Sequence, residues 1–186
     1  MPKTIYYTAA TLDGFIADPN HSLDWLFQFT DTGPDYHQFI AGVGAMAMGA
    51  STYLWILNHL SIETKPEAWP YQQPAWVFTT RNLPRVPGAD IRFVRGDVRP
   101  VHQEMLKASG ENDLWVVGGG ELAGQFLDRG LLDELQISVA SVTLGEGKLL
   151  LPRRISHPPL RLLSAETFGG SFVHLIYEVP KGGRAP

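Results

Sequence analysis

The segment DLWVVGGGELAGQFLDRGLLDE, residues 113–134, restricts the fold more than any other part of the chain. A continuous apolar run, Leu114 to Val117, enters three consecutive glycines. A helical pattern follows from Glu121 to Arg129 and is stopped by Gly130. A strand that is apolar on both faces needs cover on both, as inside a parallel sheet flanked by helices. Glycine lets backbone approach a ligand closely and adopt dihedrals closed to other residues. The helix beyond presents its first amides, and the positive end of its dipole, to whatever lies at the turn. From the residues alone two roles stay open: a phosphate cradle, or a tight turn from strand to helix. The glycines are contiguous, so this is not the GxGxxG fingerprint of a dinucleotide fold, and no Lys-Ser/Thr ending makes it a P-loop.

The strand-to-helix theme recurs along the chain. Strands are expected at Thr4–Thr11, Val43–Met48, Ala75–Thr79 and Ile91–Val94, all short apolar, β-branched or aromatic runs. Asp13-Gly14 marks a turn, after which Phe15 to Ala17 continues along the sheet edge. Helices are expected over Trp25–Phe29, capped by Ser22 or Asp24, and after Asp35, with Tyr36, Phe39 and Ile40 as the apolar face. Two more are expected over Tyr53–Leu60, capped by Ser51 or Thr52, and over Val98–Ala108, with Pro100 in its first turn. Leu135–Val142 and Phe172–Val179 look like strands with no crossover helix between them, which makes an antiparallel pair. The expected class is a three-layer α/β fold with a mostly parallel central sheet and an antiparallel carboxy-terminal edge. Residues 1–180 are expected to form a single domain and 181–186 a frayed tail.

Composition narrows the function classes. The 186 residues are 44% hydrophobic, which suits one substantial core. Fifteen Lys and Arg against nineteen Asp and Glu give a formal net charge of -4, and the cations are scattered. Neither a nucleic-acid footprint nor an attraction to anionic membranes is expected. The absence of cysteine excludes disulfides and thiol nucleophiles and fits a reducing compartment. The amino terminus has no signal-peptide pattern and no stretch approaches the roughly 20 apolar residues of a membrane span, so a cytoplasmic location is expected. The six histidines form no HExxH or other compact ligand set, and no metal is expected.

Two further strand ends have phosphate chemistry. At MAMGASTY, Gly49 admits a ligand to the backbone while Ser51 and Thr52 open a helix. At VFTTRNL, Thr79, Thr80 and Arg81 suit an adenosine ribose or its phosphate, although Arg81 alone would equally be a solvated charge. Open α/β sheets gather ligands at the carboxyl ends of their strands, so the three sites gain weight together.

The segments TAATLDGFIA, MAMGASTY, VFTTRNL, VVGGGELAGQFLDRGLLDELQI and SVTLGEGKLLLP, in that order, resemble the dihydrofolate reductase-like family. The resemblance is nearest to the carboxy-terminal reductase domain of the bifunctional riboflavin-biosynthesis deaminase-reductase and its stand-alone relatives. It implies NADPH as hydride donor. Ala9, Ala10 and Ile16 would flank the nicotinamide. Gly49, Ser51 and Thr52 would follow the pyrophosphate and adenosine side, and Thr79, Thr80 and Arg81 would meet the ribose phosphate. Val117, Gly118, Gly119, Gly120, Glu121 and Leu122 would hold the central pyrophosphate. The implied reaction is hydride transfer to a small heterocycle, nearest to 5-amino-6-(5-phosphoribosylamino)uracil reduction, by a homodimer. Pterin or dihydrofolate reduction, and nicotinamide-nucleotide binding without catalysis, are the alternatives.

Ring reduction can require a proton near the hydride acceptor. Asp13, directly after the first strand, and Asp35, in DYHQF, are the candidate acids, with Asp31 a weaker third. Their ordinary roles are an Asp-Gly turn for Asp13 and a helix N-cap for Asp35. Trp25 and Tyr53 are the candidate substrate contacts, with core packing and helix anchoring as their plain alternatives.

Overall fold

The computed structural model describes residues 1–29 and 33–181. Its frame is an eight-stranded sheet made by β1 (Thr4–Thr11), β3 (Val43–Gly49), β4 (Ala75–Phe78), β5 (Ile91–Val94), β6 (Asp113–Gly118), β7 (Glu134–Ala140), β9 (Arg161–Phe168) and β10 (Phe172–Glu178). A two-stranded ribbon joins β2 (Phe15–Ala17) to β8 (Lys148–Leu149). Five α-helices, α1 (Asp24–Phe27), α2 (Tyr36–Ala41), α3 (Ala50–His59), α4 (Val98–Ser109) and α5 (Gly120–Asp128), and one 3-10 turn, Pro66–Ala68, complete the described elements. The large sheet runs β5-β4-β3-β6-β1-β7-β10-β9. Every pair from β5 to β7 is parallel, and β10 is antiparallel to both β7 and β9.

Strand alternation divides the core into two layers. On one face Tyr6, Ala10, Ala45, Ala47, Leu114 and Val116 pack under Val98, Val101 and Met105 of α4 and under Leu122, Ala123 and Phe126 of α5. On the other, Met46, Met48, Val77 and Trp115 meet Tyr53, Ile56 and Leu57 of α3, with Phe39 and Ile40 of α2 at the margin. This is the three-layer α/β arrangement with its antiparallel edge.

Several local expectations are corrected. α3 begins at Ala50, immediately beyond its strand, with Gly49 as N-cap and no side-chain cap. Ser51 and Thr52 therefore lie inside the first turn. α1 likewise takes Leu23 as N-cap, and Ser22 merely accepts from the Asp24 amide. Two elements escaped the sequence pattern. β9 is an edge strand whose residues are almost all exposed on both faces, so it has no apolar alternation to betray it. β8 is two residues long and exists only through its pairing with β2.

That pairing holds a strap, residues 147–150, across the start of α5. The buried hydroxyl of Tyr6 donates to the Leu150 carbonyl at 2.9 Å, and the Leu150 amide donates to Gly14 at 2.9 Å. A Cβ at Gly120 would meet the Leu149 and Leu150 carbonyl oxygens, and one at Gly147 would meet the Ala17 carbonyl. The strap and α5 thus touch backbone to backbone. Gly120→Ala should destabilise the fold by about 1–3 kcal/mol, the usual range for overpacking. Thermal unfolding reads this directly, and an unchanged Tm would mean that the strap yields freely.

Candidate functional site

A cavity of about 570 Å³ lies at the carboxyl ends of β1, β3 and β6, within the usual size range of small-molecule sites. Its floor is glycine. Gly49 of β3 faces Gly118 and Gly119, with the position of a Gly49 Cβ only 3.8 Å from the Gly118 carbonyl oxygen and 3.9 Å from the Gly119 nitrogen. The Thr52 hydroxyl approaches Gly118, and the Ile16 side chain closes on Gly119 from the loop after β1. The Gly118–Gly119 peptide is cis.

Three helices place their N-cap residue in this cavity's lining, α1, α3 and α5, and none has a side-chain cap; α3 and α5 start over the glycine floor. By contrast α2 and α4, which start elsewhere, are capped by Asp35 and Asp97. First-turn amides have no partner within their helix, and carboxylate caps are the ordinary way to satisfy them. At the cavity no side chain among the described residues caps the α3 and α5 amides, and both dipoles put partial positive charge there. The hydroxyls of Ser51 and Thr52 add donors to the same wall. Glycine floor, open amides, hydroxyls and volume together fit the phosphates of a dinucleotide.

Of the residues singled out from sequence, Ile16, Gly49, Ser51, Thr52, Val117, Gly118, Gly119, Gly120, Glu121 and Leu122 all line this cavity. Ala10 does not: it is fully buried in the core beneath α5. Ala9 points to the opposite face and packs with Trp25 and Phe29. Thr8, on the same face as Tyr6 and Ala10, supplies the first-strand contact instead. Thr79, Thr80 and Arg81 lie beyond Phe78, which does line the cavity. The Arg81 amide donates to Thr79 Oγ1 at 2.9 Å while its side chain is exposed.

The candidate acids and substrate contacts lie outside the cavity. The Asp13 carboxylate accepts from the Thr11 hydroxyl at 2.5 Å and from the amides of Gly145, at 2.7 Å, and Leu144. The Thr11 bond, helped by those amides, holds its carboxyl below the usual carboxylate range against an opposing effect of desolvation. It thus staples the β1 loop to the 144–145 turn as an anion. Asp35 caps α2 through the His37 and Gln38 amides, and α2 packs on the opposite face of the sheet, where Phe39 stacks on Tyr7 at 4.0 Å. Asp31 lies outside the described residues. Trp25 is buried against Ala140 and Phe172, and its indole N–H has no partner among the described residues. Tyr53 is fully buried and donates to the Pro84 carbonyl at 2.6 Å, anchoring α3.

Sequence inspection missed His21, Trp55, Gln125 and Lys148, which also line the cavity. Trp55 and Gln125 each stand four residues beyond an identified residue, Ser51 and Glu121, and so share its helix face. Trp55 stacks on His59 at 4.5 Å, and Phe27 stacks on the same imidazole at 4.8 Å, which ties α1 to the cavity's outer wall. His21 and Lys148 carried no local signal. His21 sits at φ 65° in a turn closed on Asp18, a conformation uncommon outside glycine.

A parallel sheet with an antiparallel end, helices on both faces and a glycine-floored cavity at its strand ends defines the dihydrofolate reductase-like class. Within it, residues 2–174 match the family model of the RibD C-terminal domain, and the chain belongs to that family. An uncharacterized protein of Bacillus subtilis (strain 168), YwjB, is 31% identical over 168 residues, which cover 90% of this chain and 92% of that one. A putative riboflavin biosynthesis protein from Shewanella sp. PV-4 superposes with a TM-score of 0.78 at 26% identity, covering 95% of this chain and 98% of that one. The diaminohydroxyphosphoribosylaminopyrimidine deaminase/5-amino-6-(5-phosphoribosylamino)uracil reductase of Thermotoga maritima shares the fold, with a TM-score of 0.62 at 19% identity. It covers 95% of this chain and 56% of that longer one.

Asp13 gives a pH-dependent prediction. Its folded-state pKa lies below the ordinary 3.8, so its contribution to stability is present above that value and is lost as pH falls through the folded value. Asp13→Asn should lower stability at neutral pH and flatten the acid limb of a stability–pH profile. A variant whose acid limb matches that of the wild type would remove this role.

Proposed function

We propose that this protein is an NADPH-dependent reductase of a small heterocyclic acceptor, with pyrimidine reduction of the riboflavin-pathway type as the nearest family activity. The observation that carries the proposal is the meeting of two uncapped helix starts over a glycine floor in one cavity. Family membership supports the reductase class. The Thermotoga maritima relative, whose name includes a 5-amino-6-(5-phosphoribosylamino)uracil reductase, supports a pyrimidine-bearing acceptor.

When bound, the dinucleotide would supply a hydride from its nicotinamide. The chain's work is placement and exclusion of water. Gly118, Gly119 and the first turn of α5 would hold the pyrophosphate, while Ser51 and Thr52 would hold the adenosine side from α3. Ile16 and Thr8 would flank the nicotinamide at the end of β1. The exposed guanidinium of Arg81, at the rim beyond Phe78, is assigned to the ribose phosphate. Asp13 and Asp35 are assigned structural roles, in keeping with their hydrogen bonds to loop and helix amides. Among the lining residues, His21 is the proton donor candidate.

A homodimer is part of the same proposal. Leu162 and Leu163 stand exposed on β9, one of the two edges of the sheet, where apolar side chains favour a partner.

Calorimetry with NADPH and NADH at one salt and pH tests the cofactor assignment, and loss of the reduced nicotinamide absorbance with pyrimidine and pterin acceptors tests the reaction. NADPH should bind more tightly than NADH. Arg81→Ala should weaken NADPH roughly tenfold, the worth of one charge-assisted contact, and leave NADH unchanged. No heat with either dinucleotide, checked by intrinsic fluorescence, would overturn the reductase assignment; equal weakening of both would remove Arg81 from the ribose phosphate.

A further inference from the structure

We propose that Lys148 is the cation that holds the dinucleotide's pyrophosphate, and that Arg153 keeps it effective by neutralising Glu121. This rests on the nicotinamide-nucleotide assignment above and deepens it.

The charge inventory of the cavity is short. Among the residues that line it, the fixed charges are Glu121 and Lys148, with His21 the one further ionisable group. Glu121 sits in the first turn of α5, where its charge favours the helix but would repel a phosphate at the same place. Arg153 takes that carboxylate in a two-point grip, Nη1 to Oε2 at 2.9 Å and Nη2 to Oε1 at 2.7 Å. The bidentate contact holds the Glu121 carboxyl below the usual carboxylate range. Arg153 is itself fixed by Asp128, whose Oδ2 accepts from Nε at 2.9 Å. Its guanidinium lies over Gly124, where a Cβ would stand 2.6 Å from Cζ. Gly124 leaves room for the grip.

With Glu121 answered, Lys148 remains. It enters none of the ion pairs among the described residues. Its backbone is held on both sides. The register pairs it with Ala17 in the β2–β8 ribbon, and Gly147 before it lies against the Ala17 carbonyl. The Leu149 and Leu150 carbonyls behind it rest on Gly120, with Tyr6 securing Leu150 from the sheet. The strap therefore presents the lysine at the rim of the glycine turn, one residue from backbone that touches the start of α5. An ammonium there adds a full charge to the partial charges of the open amides. Residues 148–153 thus provide both cations, one gripping the Glu121 carboxylate and one left for the ligand.

The test is calorimetry of NADPH and NADH with the full chain, at low and moderate salt, on Lys148→Met, Arg153→Gln and the double variant Arg153→Gln/Glu121→Gln, with thermal unfolding of each. Lys148→Met should weaken both dinucleotides by the same factor, roughly tenfold, because the pyrophosphate is common to them, and should flatten the salt dependence. Arg153→Gln should weaken both less, and removing the Glu121 charge as well should restore binding, which a merely structural role for Arg153 would not produce. Unchanged binding in Lys148→Met overturns the role. So does a loss confined to NADPH, which would move the ammonium to the ribose phosphate. A raised acceptor KM with unchanged cofactor affinity overturns it too, by assigning the lysine to the substrate. Wild-type protein that binds neither dinucleotide overturns the nicotinamide assignment itself, whereas the other adverse results overturn only the role of Lys148.

Discussion

Helix-start amides that no side chain caps among the described residues are the constraint around which this molecule is arranged. The starts of α3 and α5 have no capping side chain, and both open onto one glycine-floored cavity. Folded chains rarely leave such groups without a partner. Here the alternative was within reach of the same sequence, since Asp35 and Asp97 cap α2 and α4 in the ordinary way. The parallel sheet makes the arrangement possible by bringing the carboxyl ends of β3 and β6 side by side, so that two strand-to-helix turns share one hollow.

The hollow is also closed from the other side by the 147–150 strap. Its contacts with α5, β2 and the buried Tyr6 hydroxyl are mainly through backbone, and they hold Lys148 in the cavity lining. On the proposed function, stability and ligand recognition draw on the same few residues. Gly120 and Gly147 serve the packing, Gly118 and Gly119 floor the cavity, and Gly124 seats Arg153. The acids that sit nearest in sequence, Asp13 and Asp35, serve the loops and helices that surround the hollow.

Much of this was legible in the sequence, where the signal is local. Branched and aromatic runs marked β1, β3, β4, β5 and β6 to within a residue or two, and the triple glycine marked the cavity floor. What local patterns could not supply was direction. Ala9 and Ala10 are adjacent on a strand and must point to opposite faces, so both could not flank one ring; Thr8 has the right parity. Ser51 and Thr52 were read as caps because the register of α3 against its strand end was unknown, yet they reach the cavity from inside its first turn. Trp25 and Tyr53 have the composition of a substrate wall but the burial of core. Lys148 was invisible, since its position depends on a ribbon formed with residues far away in the chain. The exposed strand β9 was lost for want of any apolar rhythm.

Hydrogen–deuterium exchange of the protein with and without NADPH tests the central assignment most directly, because it reports on the amides themselves. The account predicts slowed exchange in the β6–α5 turn, residues 117–123, and at the start of α3, residues 49–53, with the 147–150 strap following. Binding that leaves those amides unchanged, or protects instead the opposite end of the sheet around Lys3, His102 and Asp133, would contradict it.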